Sequence, residues 1–219
     1  LVVVDTGTYF TTFGQMVIIV LIQLGGLGVM TFATLISVAI GKRINLRERL
    51  LIQEALNQET ISGVVRMVLH IIKYTFCIEL IFGSILAFHF YPMYGDRALY
   101  MGYWHSVSAF CNAGFDLFGN YDSLTKFADD GVVNFCIMSL ITLGGLGFIV
   151  MDDILTKRRF KSLTVHSKVV ILASAALVLA GTVIFRLIEL NNPNTLANLS
   201  YADQWLASMF QAVTPRTAG

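Results

Sequence analysis

Charge is what this chain has least of. Asp, Glu, Lys and Arg make up only 13% of its 219 residues, against the roughly one quarter usual in soluble domains. Hydrophobic residues make up 56% and the mean hydropathy is +0.71, so the composition lies outside the soluble class. Catalytic apparatus is also missing. No phosphate-binding Gly-rich loop with its Lys, no His/Cys ligand spacing and no Ser-His-Asp arrangement is recognisable, so no reading as an enzyme survives and no cofactor is implied. The three cysteines, Cys77, Cys111 and Cys136, are odd in number and widely spaced. That gives neither a disulfide framework nor a metal site, and buried structural thiols are expected. There is no Met start and no signal peptide, and Leu1 to Val4 reads as the interior of a structure already under way. A net charge of +1 excludes nothing by itself, and nothing points to nucleic acid.

The apolar residues come in blocks. Met16 to Ile40, Val132 to Met151 and Val169 to Phe185 contain no charged residue, and each approaches or exceeds the ~20 residues that cross a bilayer. Val65 to Tyr91 is a fourth candidate span, with Arg66, His70 and Lys73 crowded toward one end. Ten of the fifteen Lys and Arg residues lie in two loops. They are Lys42, Arg43, Arg47, Arg49 and Arg66 in the first, and Lys157, Arg158, Arg159, Lys161 and Lys168 in the second. The positive-inside rule puts both loops in the cytoplasm. The opposite loops, rich in Asp, belong outside.

Two shorter runs, Ala98 to Cys111 and Tyr201 to Val213, are too short to span. Each follows a span and ends in a small-residue turn with a Gly: Cys111-Asn112-Ala113-Gly114-Phe115 and Thr214-Pro215-Arg216-Thr217-Ala218-Gly219. Non-helical backbone survives at membrane depth only where it is buried in protein or lines water, and Gly lets carbonyl oxygens turn toward a central ion. These are the features of re-entrant pore loops.

An internal repeat organises the rest. Leu21-Ile22-Gln23-Leu24-Gly25-Gly26-Leu27-Gly28 recurs as Leu140-Ile141-Thr142-Leu143-Gly144-Gly145-Leu146-Gly147, with one difference in eight positions. The unit is an outer-bound span, a pore half-helix, a filter turn, an inner-bound span with Gly-Gly-Leu-Gly, and a cytoplasmic loop. Residues 1–50 form the tail of a first unit, 51–160 a complete second and 161–219 the first part of a third. The fold expected is therefore an all-α integral membrane protein. Close helix packing is the first reading of the Gly-Gly-Leu-Gly runs, hinges the second.

Leu1-Val2-Val3-Val4-Asp5-Thr6-Gly7, Ser108-Ala109-Phe110-Cys111-Asn112-Ala113-Gly114-Phe115 and Thr214-Pro215-Arg216-Thr217-Ala218-Gly219, in that order, resemble the filter regions of the KtrB/TrkH/HKT superfamily of potassium transporters, the bacterial KtrB branch above all. The resemblance implies four non-identical membrane–pore–membrane repeats arranged pseudo-fourfold around one pore, incomplete here. A fourth repeat, the start of the first and the inner helix of the third with its gating loop would lie beyond this sequence. It also implies a homodimer in the bacterial cytoplasmic membrane, sitting on a cytoplasmic ring of nucleotide-binding regulator subunits of the KtrA/TrkA kind. Potassium is the implied cargo, with sodium as a candidate activator. The basic loops are candidate contacts for that ring or for anionic lipid.

Each half-helix would point its C-terminal end, carrying roughly half a negative elementary charge, at the dehydrated cation. The expected filter residues are Asn112, Ala113, Gly114 and Phe115, then Thr217, Ala218 and Gly219. Asp5 and Asp116 follow filters and are candidate cation-concentrating residues at the outer mouth, against the alternative of simple solvation. His105 is read as bracing the filter from behind. Glu79, midway along an apolar span, is costly unless paired, and Arg216 in the third turn would repel a cation if it faced the pore. A Glu79–Arg216 pair between neighbouring repeats would resolve both, with a bond from Glu79 to its own half-helix as the alternative. Asp152 and Asp153 are candidates for the inner vestibule or a plain interfacial pair. Two other functional classes stay open: a sodium- or proton-coupled cation transporter, and a non-conducting membrane scaffold for a cytoplasmic partner.

Overall fold

The computed structural model describes residues 3–28, 50 and 64–216, with the side chains of 64–67 and 216 excepted. The expected filter residues Thr217, Ala218 and Gly219, and the side chain of Arg216, lie outside the described set, as does the first basic loop from Lys42 to Arg49. Among the described residues the chain is helical with no strand, an all-α membrane protein.

A short helix α1 (Thr6–Tyr9) leads into α2 (Thr12–Leu27), which the Thr11 side chain caps by accepting from the Gly14 N–H at 3.3 Å. α3 (Val64–Tyr94) and α7 (Val165–Glu189) are long and apolar enough to cross a membrane. α3 ends where Gly95 turns to φ +53°, its N–H bonded to the Tyr91 carbonyl at 2.9 Å. The chain folds straight back into the half-length helix α4 (Arg97–Phe110). α5 (Gly131–Gly145) starts on Asp130, whose carboxylate accepts from the Val132 and Val133 N–H groups at 3.0 Å. α6 (Phe148–Lys157) follows at a bend of 101°. A second half-length helix, α8 (Tyr201–Val213), is capped by Ser200.

The expected span from Val132 therefore does not run as a single helix, being interrupted at Gly147 (φ 89°, ψ 144°). Within the expected span from Met16, α2 ends at Gly28 (φ 79°, ψ 138°), and the rest of that run lies outside the described residues. Both glycines are the last Gly of Gly-Gly-Leu-Gly, in a conformation L side chains rarely adopt. The packing reading holds for other glycines of the same runs. A Cβ on Gly26 would collide with Cys111, and one on Gly144 with the Phe110 carbonyl. The motif thus packs with one glycine and breaks the helix with another.

α3, α4 and α5 form the core. Gly102 on α4 lets that helix approach the backbone of Ala87 on α3, the small-residue route to close contact in membranes. Phe90, fully buried, makes edge contacts with Tyr94, His105 and Phe118 and packs against Phe127. At the end of α3 away from His70, His89 meets the Asp130 cap of α5 at 2.6 Å. The outward face of α3 exposes Phe76, Leu80, Ile81 and Phe88, a surface suited to lipid. Cys77 belongs to that face and is exposed, which corrects the expectation of three buried thiols; Cys136 is buried and Cys111 half-buried. On the basic side Asp152 reaches His70 at 3.6 Å, while Asp153 accepts from the backbone and hydroxyl of Thr164 and pairs with Lys157. The two acids tie α6 to α3 and to the start of α7.

Candidate pore-lining site

α4 ends with its last carbonyls already occupied: Val107, Ala109 and Ser108 accept from the N–H groups of Cys111, Asn112 and Ala113 at 2.9, 3.1 and 2.9 Å. The backbone then reverses through Asn112 (φ 54°) and Gly114 (φ 70°). Asn tolerates this left-handed conformation better than most residues, and Gly adopts it without strain. The turn is held by α4 itself. Ser108 Oγ donates to the Phe115 carbonyl at 2.6 Å, which anchors the outer end of the turn to the half-helix. His105 Nδ1–H donates to the Met101 carbonyl at 2.7 Å, leaving Nε2 to accept from the Leu117 N–H at 3.1 Å. Those partners fix a neutral ring in one tautomer, and the ring stacks on Phe118 at 4.3 Å. His105 braces the exit of the turn.

α2 and α5 press on the same point: Gly26 lies against Cys111 and Gly144 against Phe110 and the Asn112 side chain. α2 also carries Gln23, whose amide donates to both carboxylate oxygens of Glu79 at 3.0 and 3.2 Å. The Cys111 thiol reaches the Gln23 oxygen at 3.9 Å, and Ser106 of α4 donates to the Glu79 backbone carbonyl at 2.8 Å. Glu79, only 4% exposed, is therefore bonded to α2 beside the Asn112–Phe115 turn through its carboxylate and to α4 through its backbone.

Asp5 and Asp116 lie near each other but in different states. The Asp5 carboxylate accepts from Gly7, Thr8 and Tyr121 N–H groups at 2.8, 3.1 and 2.8 Å. The Tyr121 bond, ahead of the others, holds its carboxyl below the ordinary 3.8. Asp116 accepts from Phe118 N–H at 3.0 Å. Burial, with the charges of Asp5 and Asp122 adding to it, raises its carboxyl above 3.8. A cavity of about 520 Å³ opens beside it, between Gly114, Phe115 and Asp116 on one side and Gln211 of α8 and Thr214 just after it on the other.

Two buried amides were not singled out in the sequence. Gln15 of α2 donates to the Thr6, Gly7 and Phe10 carbonyls at 3.3, 3.2 and 3.1 Å and accepts from Tyr100 of α4 at 3.0 Å. Asn134 of α5 donates to Phe127 and Asp130 at 2.6 and 2.8 Å. The signal was there, because both polar residues interrupt apolar runs ten residues before the first Gly of Gly-Gly-Leu-Gly. Arg186 was also missed. It seals α7 to α8, its guanidinium 4.8 and 4.5 Å from the Tyr201 and Trp205 rings and bonded to Gln204 at 3.2 Å.

The family model described as TrkH, cation transport protein, matches residues 1–219. The chain is 47% identical to Ktr system potassium uptake protein B of Bacillus subtilis over 220 residues, covering 100% of this chain and 49% of that protein. It is 40% identical to the protein of the same name from Vibrio alginolyticus, covering 99% and 48%. It is 37% identical to potassium/sodium uptake protein NtpJ of Enterococcus hirae, covering 100% and 48%. The chain thus spans about half the length of these relatives.

Proposed function

The chain belongs to the TrkH family of cation transport proteins, and from that premise we propose that it supplies part of the wall of a channel-like pore that carries potassium across the bacterial cytoplasmic membrane. The observation that carries this reading is the turn from Asn112 to Phe115. It is a left-handed reversal closing a half-length helix, backed by a glycine from each inner-bound helix. Backbone of this kind replaces hydration water with carbonyl oxygens, and its selectivity depends on how many of them are held in place.

In this proposal Asn112, Ala113 and Gly114 line the pore, Phe115 anchors the turn, and Thr217, Ala218 and Gly219 form the corresponding turn after α8. The helices follow the unit organisation of 1–50, 51–160 and 161–219, which the matching breaks at Gly28 and Gly147 support. Asp116 provides negative charge at the outer mouth. The word "system" in the names of two relatives supports a partner, which we take to be a cytoplasmic nucleotide-binding ring beneath a homodimer.

The test is potassium uptake by the full-length protein in cells starved of the ion, with Gly114→Ala and Gly114→Ser beside the wild type. A side chain at φ 70° costs ~1–2 kcal/mol and narrows the turn, so both variants should insert normally and lose discrimination against sodium. Unchanged relative uptake of the two ions removes Gly114 from the filter. Absence of potassium uptake by the wild type overturns the function itself.

A further inference from the structure

The segment that precedes α2 and the loop that follows the second filter turn are joined at one point. Gly7 sits so close to the Leu117 carbonyl that an added Cβ would lie 2.6 Å from it, and Thr8 Cγ2 packs 3.0 Å from the Cβ position of Gly119. Tyr121 OH reaches the Val3 carbonyl at 3.5 Å. Across this seam runs one charge-assisted contact: Asp5 Oδ2 accepts from the Tyr121 N–H at 2.8 Å while its Oδ1 holds the Gly7 and Thr8 N–H groups.

The receiving loop is strained. Asn120, Tyr121 and Ser123, none of them glycine, have φ of 57°, 59° and 48°. Such conformations persist only where the surroundings over-determine them, and an aromatic residue has no local reason to adopt one. The Asp5 bond to the Tyr121 N–H is a side-chain contact that fixes this backbone from outside the loop, beside the bond between the Ser123 side chain and Asp116. From Tyr121 the constraint passes back along the chain to Leu117, whose N–H is held by His105, and to Phe115, whose carbonyl is held by Ser108.

We propose that Asp5 is a positioning residue that ties the exit of the first filter to the exit of the second and so sets the geometry of the turn from Asn112 to Phe115, rather than a mouth charge that concentrates cations. Both carboxylate oxygens are occupied by backbone donors, and Asp116 is left as the acid at the mouth. The inference rests on the potassium-pore reading and divides between two acids a role that the sequence alone assigns to both.

The two roles respond differently to a conservative change. A mouth charge acts through its field, so Asp5→Glu preserves it, Asp5→Asn weakens potassium uptake at low concentration, and added salt hides the difference. A clamp acts through geometry. Asn keeps a single acceptor oxygen, so its NH2 group must face either the Tyr121 N–H or the Gly7 and Thr8 N–H groups, and Glu overreaches all three. Asp5→Ser keeps a cap for α1 but is too short for the seam.

The experiment measures potassium and sodium uptake by the full-length protein, wild type beside Asp5→Asn, Asp5→Glu and Asp5→Ser, with Asp116→Asn as the mouth control, at low and high ionic strength. All three Asp5 variants should lower potassium-to-sodium discrimination by about tenfold, the factor carried by one charge-assisted hydrogen bond, equally at both salt concentrations. Asp116→Asn should instead raise the half-saturating potassium concentration, mainly at low salt. Wild-type discrimination in Asp5→Glu, or an Asp5→Asn defect that disappears at high salt, overturns the clamp. Wild-type protein that carries no potassium overturns the underlying reading and is seen before any variant is compared.

Discussion

Gln15 and Asn134 do the same work at corresponding positions of α2 and α5, each ten residues before a Gly-Gly-Leu-Gly run. Each uses a buried side-chain amide to satisfy the carbonyls of the short turn that precedes its own helix: Thr6, Gly7 and Phe10 for Gln15, Phe127 and Asp130 for Asn134. Both amides are buried, and a buried carbonyl that loses its donor has no water to replace it. Asn134→Leu should therefore destabilise the full-length protein by about 1–3 kcal/mol, read as a lower thermal midpoint in detergent. Gln15→Leu should cost more, because the Tyr100 hydroxyl loses its acceptor as well. An unchanged midpoint in both would show that neither turn depends on its amide.

The glycines of the second Gly-Gly-Leu-Gly run should separate by substitution. Gly144→Ala drives a methyl into the Phe110 carbonyl, which is backbone and cannot swing away, so the end of α4 must move. Ion discrimination should fall together with stability. Gly147 has open space around its Cβ position but φ 89°. Gly147→Ala should therefore cost only the ~1–2 kcal/mol of a left-handed L residue and leave discrimination intact. Equal selectivity defects in the two variants would mean that the helix break, rather than the packing, governs the filter.

Acid should act on Asp116 and Asp5 in sequence and with opposite sign. The fold raises the Asp116 carboxyl above 3.8, so its ionisation is a penalty on the folded state at neutral pH, and the penalty is relieved as pH falls through the folded value. The fold lowers Asp5 below 3.8. Its stabilisation is complete above 3.8 and is lost as pH falls through the lower, folded value. At neutral pH, Asp116→Asn should unfold at a higher temperature than wild type and Asp5→Asn at a lower one. On acidification the Asp116→Asn difference should close first and the Asp5→Asn difference only below 3.8. Thermal midpoints collected from neutral pH to about pH 3 decide it, and closure in the reverse order would contradict both environments.

The sequence conveyed element types better than element continuity. The half-helices were legible because amphipathic runs too short to span end at Gly-containing turns, and the structure places them at Arg97–Phe110 and Tyr201–Val213. The break at Gly147 was legible only as the second reading of Gly-Gly-Leu-Gly, after packing, because hydropathy is blind to φ and an uncharged run looks the same whether straight or bent by 101°. Cys77 was misread for a related reason: in a membrane helix the face toward lipid is as apolar as the face toward protein, so composition does not say which residues are buried. Asp5 and Asp116 looked alike as acids after a filter. Only their donors, three backbone N–H groups against one, distinguish them.

Glu79 gives the last prediction. Its carboxylate is bonded by the Gln23 amide on α2, so the strongest coupling expected of it is with Gln23, and the proposed partnership with Arg216 becomes a second arm of the same test. Neighbours within one hydrogen-bonded network show interaction energies of about 0.5–3 kcal/mol, whereas separate sites add. In a double-mutant cycle on the full-length protein, Gln23→Leu and Glu79→Gln should each lower the thermal midpoint, and the double variant should lose clearly less than their sum. The Glu79→Gln, Arg216→Gln cycle run beside it measures the other partnership directly. Additivity in the first cycle with coupling in the second would return Glu79 to Arg216. Coupling in the first also predicts a selectivity defect in Gln23→Leu, because Gln23 touches the Cys111 thiol at the head of the proposed filter turn.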